Sequence, residues 1–129
     1  VEDFYALEGM VFSAAVAQSY GTLLEHPDWG QLFWLRCEGA IAGYAALTFF
    51  FSFEYHGRSA ILDELYLCPQ CRGRGLGSAA LAQVEAFCRQ EGIPCLNLVV
   101  DGQNIAAQRL YAKHGFATLR RQLCIKWLI

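Results

Sequence analysis

Apolar side chains at Leu76, Ala80, Val84, Phe87 and Cys88 recur at i, i+4, i+8, i+11 and i+12, the stripe of an amphipathic helix. Gly92 stands just past that stripe, where a C-terminal cap belongs. Upstream, Tyr5 to Leu24 carries Leu7, Met10, Val11, Ala14, Ala15, Tyr20, Leu23 and Leu24 at mixed helical spacings. That predicts a helix broken near Gly9 and Gly21. Pro27-Asp28-Trp29-Gly30 is turn chemistry. Two β-rich runs follow, Leu32 to Cys37 and Ile41 to about Phe51, joined at Glu38-Gly39 as a hairpin, with the next turn at His56-Gly57. Ala60 to Leu67 is an apolar run that holds an acidic pair and is closed by Pro69, the pattern of a central strand. Cys95 to Asp101 predicts another strand, and Asn104 caps a helix that runs through Ala107, Leu110 and Tyr111 to a stop at Gly115. Phe116, Leu119, Leu123, Ile125 and Trp127, set around Arg120, Arg121 and Lys126, predict one short and one longer closing strand. A helix, several antiparallel strands, then strand-helix-strand-helix-strands specify a mixed α/β (α+β) fold. No repeat or linker divides the sequence, so one domain over residues 1–129 is expected.

Composition narrows the functions. Of 129 residues 55% are hydrophobic and 14% aromatic, with 10 Lys+Arg against 12 Asp+Glu, enough for a core and too apolar for disorder. A net charge of -2 argues against a nucleic-acid partner, because phosphate neutralisation needs a basic face. The uncharged stretch Gly39 to Phe53 is 15 residues long, short of the roughly 20 that span a bilayer, so buried sheet and no membrane span are expected. Glu2 and Asp3 near the start, with no basic flank and apolar block, give no secretory signal. Six cysteines are not needed as staples for a core this large. They read as reduced and the compartment as cytoplasmic.

The segment from Leu65 to Ser78 carries the strongest chemistry. A buried strand enters a glycine-rich turn (Gly73, Gly75, Gly77) that opens a helix, with Arg72 and Arg74 beside it. Backbone N–H groups converging there form a site for a phosphate or pyrophosphate. An isolated G-x-G would more simply be a tight turn; the third glycine, the two arginines and the strand-to-helix setting favour an anion site. The spacing matches neither G-x-x-x-x-G-K-[ST] nor G-x-G-x-x-G, and no Lys precedes Lys113, which disfavours an ATPase, a GTPase or a dinucleotide fold.

These residues resemble the GNAT superfamily of acyl-CoA-dependent N-acyltransferases. Gln70-Cys71-Arg72-Gly73-Arg74-Gly75 fits the signature [RQ]-x-x-G-x-[GA], and Asn104, Ala107, Tyr111 and Gly115-Phe116 fit the second, downstream one. The likeness covers Ile41 to Ile129 well and the first 40 residues loosely. The family opens with a strand ahead of its first helix, whereas this sequence starts almost at the helix, so that strand is expected to be either missing or supplied otherwise. The resemblance implies a mostly antiparallel central sheet flanked by helices, with a splayed strand pair holding the acyl-CoA. It implies acetyl-CoA as co-substrate: pyrophosphate on the backbone N–H groups from about Arg72 to Ser78, including Leu76 and Gly77, with Gln70 as the first cofactor-binding residue of the motif, and pantetheine along Leu65, Tyr66 and Leu67. Asn104 and Ala107 would lie near the pantetheine, and Tyr111 beside the thioester sulfur.

Chemistry agrees with that assignment. An amine attacks only when neutral, and with a reference pKa near 10.4 it needs a base or a water relay to take its proton. Asp63 and Glu64 are the candidates. Consecutive strand residues face opposite sides, so one of them faces a given cleft, and the sequence leaves open which. An acidic pair set structurally beside Arg58 or Arg36 is the alternative. The thiolate leaving group needs a proton, which a tyrosine near pKa 10 can supply. Tyr111, seven residues or about two turns past Asn104, suits that role better than a purely packed aromatic. Glu54, Asp63, Glu64 and Asp101 suggest an acidic acceptor end, and Glu54 to Arg58 leading to Leu62 to Tyr66 is similar to polyamine-acetylating members of the superfamily. The expected partner is therefore a small amine or diamine, with peptide acetylation or a non-catalytic acyl-CoA-binding module as alternatives.

Cys68-Pro69-Gln70-Cys71 is a C-x-x-C without a second pair. That makes a closed zinc site improbable, and no metal is expected. Incidental cysteines are favoured over a thiol redox site. His26, His56 and His114 share no metal-ligand spacing. The aromatic run Phe49, Phe50, Phe51, Phe53 and Tyr55 reads mainly as core, with part of it available to line the acceptor cleft or a homodimer face.

Overall fold

The computed structural model describes residues 14–129, with side chains from residue 18 onward. The predicted helical stretch before Ala14, its break at Gly9 and the leading residues lie outside the described residues. Helix α1, Ala14–Glu25, runs through Gly21 without interruption. An internal glycine costs a helix only about 1 kcal/mol, and Tyr20 beside it is buried against the sheet. The described residues fall into two compact units, one ending at Val99 and the other Val100–Ile129.

In the first unit the predicted hairpins form β1, Gly30–Cys37, β2, Ala40–Ser52, and β3, Gly57–Leu67. A 3-10 turn, Pro69–Cys71, leads to α2, Leu76–Gln90, and then to β4, Cys95–Leu98. The sheet order is β1-β2-β3-β4, antiparallel except for the β3/β4 pair. β4 is shorter than predicted: Val99 to Asp101 lie beyond the ladder, and Val99 is exposed.

β2 is buried continuously from Ala42 to Leu47, as a central strand covered on both faces requires. Alternation along β2 sends Ala45, Leu47 and Phe49 to one face and Tyr44 and Ala46 to the other. On the first face, Phe87 of α2 meets Phe33 edge-on and stacks against Phe49, at 5.3 and 6.2 Å between ring centroids. Ala80, Leu81, Val84 and Cys88 are the buried stripe of α2, as the periodicity predicts. On the second face Tyr20 of α1 packs with Tyr44 and Ala46, flanked by Leu32, Ile41 and Tyr66.

The β2/β3 register carries a bulge. Ala46 faces Glu64, but Leu47 faces Leu62, so Asp63 is the extra residue. A bulge shifts every following side chain by one position. Leu62 therefore enters the α2 core at 4% exposure, while Glu64, two residues on, joins the α1 face.

In the second unit α3, Ile105–Lys113, begins at Asn104 and is followed by Gly115 at φ 87°, as predicted. The two closing strands expected after Phe116 are absent: residues 117–129 carry no strand. The apolar side chains there are exposed, Leu123 at 75% and Trp127 at 86%. Alternation marks a surface that requires burial, but a strand also needs a ladder partner for its N–H and C=O groups, and none of the described ladders includes this segment.

Candidate functional site

β3 positions most of the predicted residues. Its ladder with β4 covers only Ser59↔Cys95 to Leu62↔Leu98, whereas β3 continues to Leu67. From Asp63 onward the β4 side of β3 is thus open, which is the expected splay, and Leu65 to Leu67 line it. On the opposite side the same residues are paired with β2, Leu67 with Gly43 and Tyr66 with Tyr44. A Cβ at position 43 would overlap the carbonyl oxygen of Tyr66, so the close approach of the two backbones requires glycine there.

The chain then turns through Pro69–Cys71, and Arg72 reaches back to donate from Nε to the Leu67 carbonyl at 3.0 Å. The guanidinium also lies 5.6 Å from the Tyr66 ring centroid. Gly73 and Gly75 both adopt left-handed backbone, φ 76° and 78°, which L side chains rarely adopt. A Cβ at either position would meet no protein atom within 4 Å, so conformation and not crowding selects glycine. Gly75 is the N-cap of α2 and offers no side-chain cap. The first N–H groups of α2, from Leu76, Gly77 and Ser78, have no intrahelical partner by construction and point toward the positive end of the helix dipole. This turn can hold an anion, with Arg72 and Arg74 exposed beside it.

Asp63 and Glu64 are both exposed, and the bulge assigns Glu64 to the α1 face. Its Oε2 accepts a hydrogen bond from the Tyr20 hydroxyl. Tyr20 meets Tyr44 edge-on at 5.3 Å, and Tyr44 stacks with Tyr66 at 5.7 Å between centroids. Glu64 is thus the carboxylate of a three-tyrosine cluster. Among the described residues neither Asp63 nor Glu64 forms a salt bridge, whereas Arg89 pairs with Glu85 at 3.8 Å along α2. Arg58 instead covers the Phe49 ring at 4.4 Å, so the structural pairing with Arg58 or Arg36 does not occur. Burial, followed by the hydrogen bonds to Glu64 and Tyr44, raises the Tyr20 hydroxyl well above the usual tyrosine range. Burial likewise pushes Tyr44 up to about 12, with the Tyr20 hydrogen bond working against the rise and the Glu64 carboxylate adding to it.

Glu54 stands in the loop between β2 and β3. Glu64 lies seven residues beyond Gly57, about 23 Å along the strand, so Glu54 does not frame an acceptor end with Asp63 and Glu64. Asn104, Ala107, Tyr111 and Asp101 belong to the second unit. There Asn104 Oδ1 accepts from the Ala107 N–H at 3.1 Å, an N-cap, and Gln108 Nε2 donates to the Asp101 and Gly102 carbonyls at 3.0 and 2.9 Å. Tyr111 packs edge-on against Phe116 at 5.7 Å, and burial raises its hydroxyl above the usual range. Among the described residues no group of three or more His, Cys, Asp or Glu can hold a metal ion, and no helix is long and apolar enough to cross a membrane.

Residues 1–116 match the model of the Acetyltransferase (GNAT) family. The chain belongs to that family. It is 31% identical over 78 residues to the uncharacterized N-acetyltransferase YhfO of Bacillus subtilis, a span of 60% of this chain and 52% of that protein. It is 32% identical over 75 residues to the thialysine N-epsilon-acetyltransferase of Bos taurus, 58% of this chain and 44% of that protein. The chain thus spans about half the length of these curated relatives. Among solved structures, the integron cassette protein HFX_CASS3 from the Cole Harbour Salt Marsh metagenome superposes with a TM-score of 0.80 at 30% identity, covering 98% of this chain and 79% of that one.

Sequence reasoning missed Tyr20 and Tyr44 in this GNAT chain. Tyr20 and Glu64 are 44 residues apart, and no local pattern links a helix tyrosine to a strand carboxylate. The signal that was available is Tyr44-Tyr66, aromatic residues on adjacent predicted strands near the acidic pair.

The cluster makes stability depend on alkaline pH. Tyr20 and Tyr44 keep their protons in the folded GNAT chain above the ordinary tyrosine value of 10.0, so above that pH the folded state binds more protons than the unfolded one. Their contribution is fully present below pH 10.0 and is lost as the pH rises toward about 12, where Tyr44 titrates. The urea midpoint should fall as the pH goes from about 9 to about 11, and the fall should be shallower in Tyr20→Phe and Tyr44→Phe. An equally steep decline in the double variant would contradict this account.

Proposed function

We propose that this chain forms a single acetyltransferase domain that moves the acetyl group of acetyl-CoA to a primary amine by direct attack. The observation that carries the reading is the turn at Gly73 and Gly75, which bares the N-terminus of α2 immediately after a strand whose β4 side is open. N–H groups of Arg72 to Ser78 bind the pyrophosphate, with Gln70, Arg72 and Arg74 at its border. The main chain of Leu65 to Leu67 pairs with the pantetheine arm as an added strand would. An N–H near Leu67 polarises the thioester carbonyl and holds its oxygen as negative charge develops.

Glu64 takes the proton of the attacking amine, directly or through water, with Asp63 as the neighbouring charge. A carboxylate that accepts from Tyr20 is held in one orientation, which suits a base that must meet its proton at a fixed distance. Tyr111 returns a proton to the departing thiolate; a tyrosine hydroxyl near pKa 10 is protonated at neutral pH, as an acid must be. Asn104 and Ala107 form the N-terminal cap that orients the helix bearing Tyr111.

For the acceptor we infer a small cationic amine or diamine. Glu64 and Asp63 supply exposed negative charge, and half-buried Tyr66, backed by the buried Tyr20 and Tyr44, supplies an aromatic ring that attracts an ammonium. The likeness to a relative named for thialysine acetylation supports a small amine over a protein.

Three outcomes test these roles. Gly75→Asn keeps a residue tolerant of left-handed backbone but adds a side chain where the pyrophosphate approaches, so CoA affinity should fall by at least about tenfold in a chain with an unchanged melting profile. Unchanged affinity would remove the turn from the binding site. Tyr111→Phe should lower kcat by about 10²–10⁴ while CoA binding persists; full turnover would make Tyr111 a packing residue. In acetyl-CoA-dependent thiol release, diamines should exceed neutral or anionic amines and peptides in kcat/KM, with the advantage shrinking at higher salt. Equal values at both salt concentrations would reject the charged acceptor end.

A further inference from the structure

The C-x-x-C preceding the glycine turn is absorbed by none of the roles above, and its geometry is specific. The 3-10 turn Pro69–Cys71 is closed by the Cys71 N–H donating to the Cys68 carbonyl at 2.9 Å, which holds the two Cα atoms within about 7 Å, in the range that a disulfide spans. With about three residues per turn, side chains at i and i+3 lie on one side. The two sulfur atoms accordingly stand 2.8 Å apart as free thiols, Cys68 donating to Cys71. The Cys68 N–H is fixed by the Ala42 carbonyl at 2.7 Å, so the pair is anchored to the sheet. Both cysteines line a cavity of about 300 Å³ together with Cys37, Gln70, Arg74 and Glu38. Access is unequal: Cys71 is half-buried, whereas Cys68 is 4% exposed.

From this geometry we propose that Cys68 and Cys71 are a reversible dithiol site whose reaction partner is a low-molecular-weight disulfide admitted to that cavity. Cys71, whose thiol the hydrogen bond with Cys68 pushes up to about 11, first loses its proton to solvent; its thiolate then attacks one sulfur of the small disulfide, forming a mixed disulfide and releasing one small thiolate. Cys68 then loses its proton to solvent and attacks the Cys71 sulfur, forming the Cys68–Cys71 bond and releasing the second thiolate. The protein loses two electrons and the small disulfide gains two, appearing as two thiols once protonated. Accessibility sets the order: Cys71 meets the reagent, and buried Cys68 resolves the adduct. Cys37 borders the same cavity but lies outside the turn that aligns the pair. The inference does not rest on the acetyl-transfer reading, and its test reads thiols and not activity.

The experiment uses the full chain carrying Cys124→Ser, which removes the exposed cysteine. The protein is incubated without oxygen with the disulfide of glutathione, quenched by alkylation and mapped by mass spectrometry. The expected product has lost two hydrogens, carries its bond within the Cys68–Cys71 peptide and returns to the dithiol under excess reduced glutathione. Adding Cys68→Ser should trap the glutathione adduct on Cys71 at about tenfold the level in the parent, whereas Cys37→Ser should leave the internal bond unchanged. Continued alkylation of both Cys68 and Cys71, a lasting adduct on Cys71 in the parent, or a bond involving Cys37 would overturn the proposal. Because the unsubstituted pair is mapped directly, a misfolded variant does not decide the outcome.

Discussion

One additional residue in β3 organises the candidate site. Without the bulge at Asp63, Leu62 and Glu64 would share a face, and either a leucine would leave the α2 core or a carboxylate would enter it. Burying an ion without a partner costs several kcal/mol, and withdrawing a leucine forfeits about 2 kcal/mol or more. The bulge satisfies both side chains: Leu62 remains in the core, and Glu64 meets the hydroxyl of Tyr20. The placement of Glu64 beside Tyr20, and with it the orientation of the acidic group, follows from that change of phase.

Much of the framework was legible because it is written in local periods. The stripe Leu76, Ala80, Val84, Cys88 gave α2, the unbroken apolar run of β2 gave a strand covered on both faces, and Asn104 gave the cap of α3. The glycine turn was legible for a different reason: alternating glycines between a strand and a helix have few structural uses, and the φ values at Gly73 and Gly75 are the ones that demand the residue.

What was not legible depends on partners distant in sequence. Gly21 reads as a breaker, yet the helix continues because Tyr20 is held by residues of β2 and β3. Leu119, Leu123, Ile125 and Trp127 read as strand, yet alternation specifies a face and not a neighbour. Asp63 and Glu64 read as alternating, and a bulge is invisible to a period-two argument. The two cysteines read as incidental because spacing alone does not reveal a 3-10 turn that aligns their sulfurs.

Gly43 bears on how the sheet can deform. At this position β2 and β3 lie so close that even a methyl group is refused, and the Cys68 N–H continues the union onto the Ala42 carbonyl just past the end of β3. β3 is therefore riveted along one margin and loose along the other, where its ladder with β4 stops at Leu62. Such a sheet behaves like a door hung on a fixed jamb. Widening to receive a thin chain of atoms costs hydrogen bonds on the β2 side and none beyond Leu62 on the β4 side, so the first unit has one compliant direction.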